Sequence, residues 1–229
     1  MLRARFPTGH RYPRVIAELI PVPAASVTDP SWLADQLAAA ARRYRMSRDA
    51  SVGVLWWYSA SSVLLGPPVS SLVSSRVSPA VRGGSVADPA LASMTLFLHP
   101  DGRVLDARSS GVVPASMLGK GLAAALSSAV AAVAAASGAP EPALWAIATD
   151  SLANQVLWAG GTPPVAVSLA ASVGGALPVP RYVSVGGRHA VRRASCCLIY
   201  QAPGEQKCVS CPRQHPDDRY RRLRAALGG

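Results

Sequence analysis

Every cysteine in this 229-residue chain lies within the stretch CCLIYQAPGEQKCVSC, from Cys196 to Cys211. Four thiols packed that closely must crosslink, bind something or share a redox task, so the fold at this end has to bring them together. The basic start MLRARFPTGHRYPR is followed by no apolar leader, so a secretory signal is not expected and the setting reads as cytoplasmic. Thiols stay reduced there, which puts metal binding ahead of a disulfide framework.

The spacing is an adjacent pair, ten residues, then C-x2-C. Cys208 and Cys211 have the separation that lets two thiolates converge in a tight turn, and Pro212 keeps that turn from running on as helix. Cys196 and Cys197 are more demanding, because neighbouring side chains of an extended chain point to opposite faces. One tetrahedral ion would need local distortion to take both, whereas a 2Fe–2S cluster spreads four ligands over two irons. Pro203 and Gly204 supply a reversal between the pairs. An iron–sulfur cluster, a zinc site and a redox-active vicinal dithiol all stay open on this chemistry. Arg192, Arg193 and Lys207 are either counter-charges for the thiolates or solvated surface cations. His215 falls four residues beyond Cys211, but the two-histidine pattern that would make it a cluster ligand is missing.

The remainder reads as a helical body. Half the residues are hydrophobic but only 6% are aromatic, which implies a core of small side chains on closely approaching helices. Residues 1–28 carry four prolines and read as a partly extended lead-in. Asp29 and Pro30 open a helix to about Met46, with Leu33, Leu37 and Tyr44 on one face. Residues 51–65 read as a buried helix that Gly66, Pro67 and Pro68 stop, with Trp56 and Trp57 in the core or, alternatively, one of them stacking on a substrate. After a loop at VRGGSVADP, SMTLFL and RVLDA flank an HPDG turn as a β-hairpin, with His99 a solvated turn residue.

Leu118, Leu122, Leu126, Val130 and Val133 mark a helix from Pro114 to Ser137, expected to be the longest and buried rather than membrane-spanning. Further helices are expected near 142–159 and 164–173. RYVSVGGRHAVRR then reads as strands around a glycine pair, with a module boundary near Pro180.

The formal charge is +11 and uneven. Residues 1–180 hold 13 basic and 9 acidic side chains, a net of +4, while 181–229 hold 10 and 3, a net of +7. Aromatic residues are not interleaved with the tail's arginines as on a single-strand platform, so nucleic acid is not expected as a partner. No G-x-G-x-x-G or G-x-x-x-x-G-K-[ST] occurs, so the chain lacks sequence signs of its own nicotinamide, flavin or nucleoside triphosphate site.

The stretch RRASCCLIYQAPGEQKCVSCP resembles the C-terminal motif of the FhuF-like ferric siderophore reductases, in which C-C-x10-C-x2-C binds a 2Fe–2S cluster. The likeness covers about twenty residues, including Ser195, Tyr200, Pro203-Gly204 and Pro212; the preceding 180 agree in outline only. It implies that Cys196, Cys197, Cys208 and Cys211 hold the irons of a 2Fe–2S cluster. The implied fold is α+β: a mainly helical domain with a small β-hairpin or sheet and a C-terminal iron–sulfur cluster-binding segment. Residues 1–180 would be the helix-rich substrate and scaffold domain, and 181–229 the cluster-binding segment with its basic tail.

The implied activity is oxidoreduction: one-electron reduction of ferric to ferrous iron, releasing the metal from an imported siderophore. The electron would come from an external donor such as a ferredoxin, flavodoxin or flavin reductase, at the cytoplasmic face of a siderophore importer. A structural zinc module and an iron–sulfur redox sensor that binds nucleic acid are the competing readings. Tyr200 is expected to pack beneath the cysteine loop.

Overall fold

The computed structural model describes residues 18–47, 49–77 and 84–228. The lead-in over 1–17 and the Val81–Gly83 part of the expected loop lie outside the described residues. Helix α1 (Pro30–Tyr44) begins as its sequence predicts: Asp29 accepts the Trp32 N–H at 2.9 Å, and Pro30 takes a position whose N–H has no helical partner. It ends where Arg45 turns left-handed (φ 52°) and its N–H closes back on the last turn of the helix. Leu33, Leu37 and Ala40 are buried.

Helix α2 corrects the sequence reading. It runs from Ala50 to Val77, straight through Gly66, Pro67 and Pro68, and at 28 residues it, not the 20-residue α3 (Leu118–Ser137), is the longest helix. Two prolines cannot donate to the carbonyls one turn earlier, which is why a stop was expected. The flanking Leu64, Leu65, Val69, Leu72 and Val73 are all buried, so tertiary burial on both sides of the prolines holds the helix together. Gln155 anchors the same stretch: its side-chain amide donates to the Ser62 carbonyl at 2.7 Å, one residue before the Val63 and Leu64 carbonyls that the prolines leave without a helical donor.

The partner across that contact is α4 (Glu141–Trp158). Trp57 donates its indole N–H to the Leu144 carbonyl at 2.9 Å, and the buried hydroxyls of Ser61 and Ser151 meet at 2.8 Å. Trp57 is therefore core, as is Trp56, which packs edge-on against Trp32 with ring centroids 6.2 Å apart. Helix α3 has the length and apolar composition of a membrane span, yet its stripe from Leu118 to Val133 is buried. It meets α5 (Pro163–Val173) closely: a Cβ on Gly119 would stand 2.5 Å from the Ser172 carbonyl oxygen.

The β structure is small and antiparallel. Strands β1 (Ile20–Pro23), β3 (Met94–Leu98) and β4 (Val104–Ser109) form one sheet in the order β1-β3-β4, and β2 (Ser85–Ala87) pairs with β5 (Val112–Pro114). The expected hairpin is thus β3–β4, extended by a strand from the lead-in. Strands β6 (Tyr182–Val185) and β7 (Arg188–Val191) pair around Gly186 and Gly187, both at positive φ as a tight two-residue turn requires. A terminal helix, α6 (Pro216–Leu227), has no counterpart in the sequence reading. The architecture is α+β, predominantly helical with small antiparallel sheets, as expected.

Candidate metal centre

The chain enters the cysteine segment from β7. The Arg192 N–H closes on the Arg181 carbonyl at 2.8 Å, and the next three residues dock on the middle of α4 at Asp150. Its carboxylate accepts from the Ala194 N–H at 2.8 Å, the Ser195 N–H at 3.3 Å and the Arg193 Nε at 3.3 Å. One buried acid therefore fixes the backbone immediately before Cys196. Burial pushes the Asp150 carboxyl up; the Ala194 N–H and the Arg193 charge pull it back.

Leu198 lies in the left-handed region (φ 63°, ψ 9°), which for a leucine is a strained choice of about 1 kcal/mol. That bend turns its N–H onto Cys196 Sγ at 3.4 Å and leads into a short 3-10 turn, Ile199–Gln201. Pro203 and Gly204 (φ 83°) reverse the chain, with the Glu205 N–H donating to the Ala202 carbonyl at 3.1 Å. The Cys211 N–H then bonds the Cys208 carbonyl at 3.0 Å, closing the C-x2-C turn. Helix α6 braces this turn: Gln214 donates to the Cys208 carbonyl at 2.6 Å, and Arg222 holds both Gln214 Oε1 and the Lys207 carbonyl.

The result is a cluster of sulfurs in which Cys196 Sγ and Cys211 Sγ are 3.5 Å apart and Cys197 and Cys208 are near enough to shift one another's thiols. All four cysteines are free; Cys196, Cys197 and Cys211 are buried and Cys208 half-buried. Two thiolates on one tetrahedral metal stand about 3.8 Å apart for a metal–sulfur bond of about 2.3 Å, so the closer pair is near ligand spacing. The four thiols lie within reach of one another's charge, and a two-iron centre, which spreads four thiolates over two metals, suits such a set.

The electrostatics single out Cys197 as the anionic sulfur of the set. The Cys197 thiol is pulled down to about 5 by the hydrogen bond from Cys208, against burial, with the Ile199 N–H and Arg193 adding to the pull. Cys208, as the donor in that bond, is pushed up, and burial pushes up Cys196.

Of the three cations considered from sequence, one reaches the sulfurs. Arg193 donates through Nη1 to Cys208 Sγ at 3.4 Å and lies over the Tyr58 ring at 4.7 Å. Arg192 is exposed, and Lys207 donates instead to the Arg213 carbonyl at 2.9 Å. Tyr200 stacks beneath the cations Lys207 and Arg213, at 5.8 and 6.0 Å. His215 precedes α6, largely exposed beside Asp217, and His99 sits in the β3–β4 turn beside Asp101; the fold brings neither to the sulfurs. Asp150 and Tyr58 were missed. Asp150 did carry a signal, as the one acid inside the apolar run ALWAIATDSLA.

A cleft of about 370 Å³ opens against this centre, between the first turns of α2 and α4 and the cysteine loop. Ala50, Ser51, Ala143, Ser195, Cys196 and Arg213 are among its walls. Trp56 is not; it borders a separate cavity of about 90 Å³ beside α1.

Residues 193–213 match the family model described as the FhuF 2Fe-2S C-terminal domain. Comparison with curated proteins and with solved structures gives no match. The matched stretch begins at the arginine that touches Cys208 and ends just past the last cysteine, so it is the segment the fold gathers around the sulfurs. This C-terminal stretch is similar to the FhuF 2Fe-2S C-terminal domain, as the cysteine motif implied.

Proposed function

We propose that the chain is a ferric siderophore reductase that carries a 2Fe–2S cluster on Cys196, Cys197, Cys208 and Cys211. The observation that carries this reading is the gathering of four thiols beside a buried arginine. Cys196 with Cys211, and Cys197 with Cys208, would each serve one iron. When bound, such a group supplies one-electron transfer at a potential set by the charge and hydrogen bonds around its sulfurs.

The chain's own residues supply the rest. Asp150 and the Leu198 bend hold the first cysteine pair in place, and Gln214 and Arg222 hold the second. The cleft at Cys196 seats the ferric chelate. Its wall atoms are mostly apolar or hydroxyl-bearing, and Arg213 adds positive charge at the edge. One electron from an external ferredoxin, flavodoxin or flavin reductase reduces the chelated ferric iron to ferrous. The siderophore's hard oxygen donors hold ferrous iron less well, so the metal is released. The net charge of +7 over residues 181–229 suits an acidic electron donor or an anionic chelate. The reaction fits the cytoplasm, beside the importer that delivers the loaded siderophore.

The test is a visible spectrum of protein purified without oxygen, with iron, zinc and acid-labile sulfide assayed on the same sample. Near two irons and two sulfides per chain, colour that bleaches with dithionite, and ferrous release from a ferric hydroxamate or catecholate are expected. The Cys197→Ser variant should lose colour and release together. One zinc and no colour would replace the reading with a structural zinc module, and retention on DNA with the colour intact would favour a redox sensor.

A further inference from the structure

The Arg193 side chain is 1% exposed, an unusual depth for a guanidinium, and it contacts both a cysteine of the centre and the acid that fixes the cysteine segment. Its Nε is committed to Asp150, its Nη1 to Cys208 Sγ, and its face to the Tyr58 ring. Its Nη2 is buried and has no hydrogen-bond partner among the described residues. A buried donor left unsatisfied costs about 1–3 kcal/mol, so a charged one is a poor element for stability alone. A guanidinium keeps its charge even at this depth, and Asp150 is its counter-charge.

We propose that Arg193 is a positioning residue that sets the reduction potential of the centre. The proposal rests on the cluster reading above. Its fixed positive charge lies against the Cys208 sulfur, and its spare Nη2 is a donor for a sulfur that arrives with the bound group. Reduction adds one negative charge to the centre, and a cation held in a dry pocket stabilises that added charge far more than a solvated one does. Asp150 has the opposite sign, holds the guanidinium in place and tempers its field. The pair therefore sets the potential through two opposed charges.

The experiment is an anaerobic redox titration against mediator dyes, with iron and sulfide assayed for each protein. Arg193→Gln is expected to lower the potential, with roughly a tenfold loss in the one-electron reduction equilibrium, equivalent to about 59 mV. Asp150→Asn removes the opposing charge and is expected to move the potential the other way. A purely structural role would not give shifts of opposite sign at unchanged cluster content. An unchanged potential in Arg193→Gln loaded to wild-type iron and sulfide overturns the proposal, as do shifts of the same sign in both variants. Where one variant fails to retain iron and sulfide, the sign of the other decides; loss from both makes the pair a structural prop and overturns the proposal too. Wild-type protein without iron and sulfide is a different failure: it removes the cluster reading itself.

Discussion

Arg193 Nε lies 3.3 Å from a carboxylate oxygen of Asp150, with both side chains almost wholly shielded from water. This ion pair ties the cysteine segment to the central helix α4, because Asp150 also accepts the N–H groups of Ala194 and Ser195. Removing the acid strands a buried guanidinium and two backbone donors together. Breaking a buried pair from one side costs roughly 3–5 kcal/mol. Asp150→Ala is therefore expected to lower the unfolding free energy measured by urea denaturation by an amount in that range, and a loss below about 1 kcal/mol would show that the pair does not hold the segment.

A second acid contributes to the acid dependence of stability. Asp101, in the β3–β4 turn, is pushed up by burial. The Arg103 N–H, the Arg43 and Arg103 charges and the His99 contact outweigh that and hold its carboxyl below the usual range. Since the folded value is lowered, the stabilisation is complete above the unfolded pKa of about 3.9 and disappears as pH falls through the folded value. Wild type should therefore lose more thermal stability than Asp101→Asn on going from pH 5 to pH 2. Parallel Tm curves for the two proteins would remove Asp101 from the account.

Much of the architecture could be read from local signals. Asp29-Pro30 start α1, the leucine–valine stripe from Leu118 runs α3, and Gly138 closes it at φ 72°. The C-C-x10-C-x2-C spacing pointed to a two-iron demand, and the fold gathers the four thiols together. What local signals could not give was long-range compensation. The prolines in α2 read as a stop because the Gln155 side chain that bonds Ser62 comes 93 residues later. The match of Arg193 to Asp150 spans 43 residues, and sequence proximity gave Arg192 and Lys207 equal standing with Arg193. Helix α6 had Pro216, Asp217, Asp218 and Gly228 in helix-terminal places, but with Leu223 its one buried residue it read as a basic tail.

The charge imbalance makes a kinetic prediction. With a net charge of +7 over residues 181–229, encounter with an acidic electron donor or an anionic ferric chelate is steered electrostatically. Stopped-flow reduction at fixed pH should slow by about 3- to 10-fold as ionic strength rises from roughly 0.02 to 0.5 M, since screening shortens the reach of surface charge. A rate flat across that range would mean that the basic tail plays no part in encounter.

The cleft at Cys196 gives the substrate reading its sharpest test. Its walls include Ala50 from the first turn of α2 and Ala143 from the first turn of α4, small side chains that leave the space open beside the cysteine loop. Neither residue is a metal donor or a hydrogen-bond partner of the Asp150–Arg193 pair, so a bulky replacement fills the cleft while leaving those groups in the sequence. Ala143→Trp should raise KM for the ferric chelate by about tenfold or more, equivalent to losing about 1.4 kcal/mol of binding. Colour, iron content and bleaching by dithionite should stay at wild-type levels. Ala50→Trp, acting from the first turn of α2, should do the same. If both variants reduce the chelate with unchanged KM, the chelate docks elsewhere on the chain. If both also lose their colour, the cleft wall supports the cysteine loop itself and the two elements cannot be separated as substrate site and metal centre.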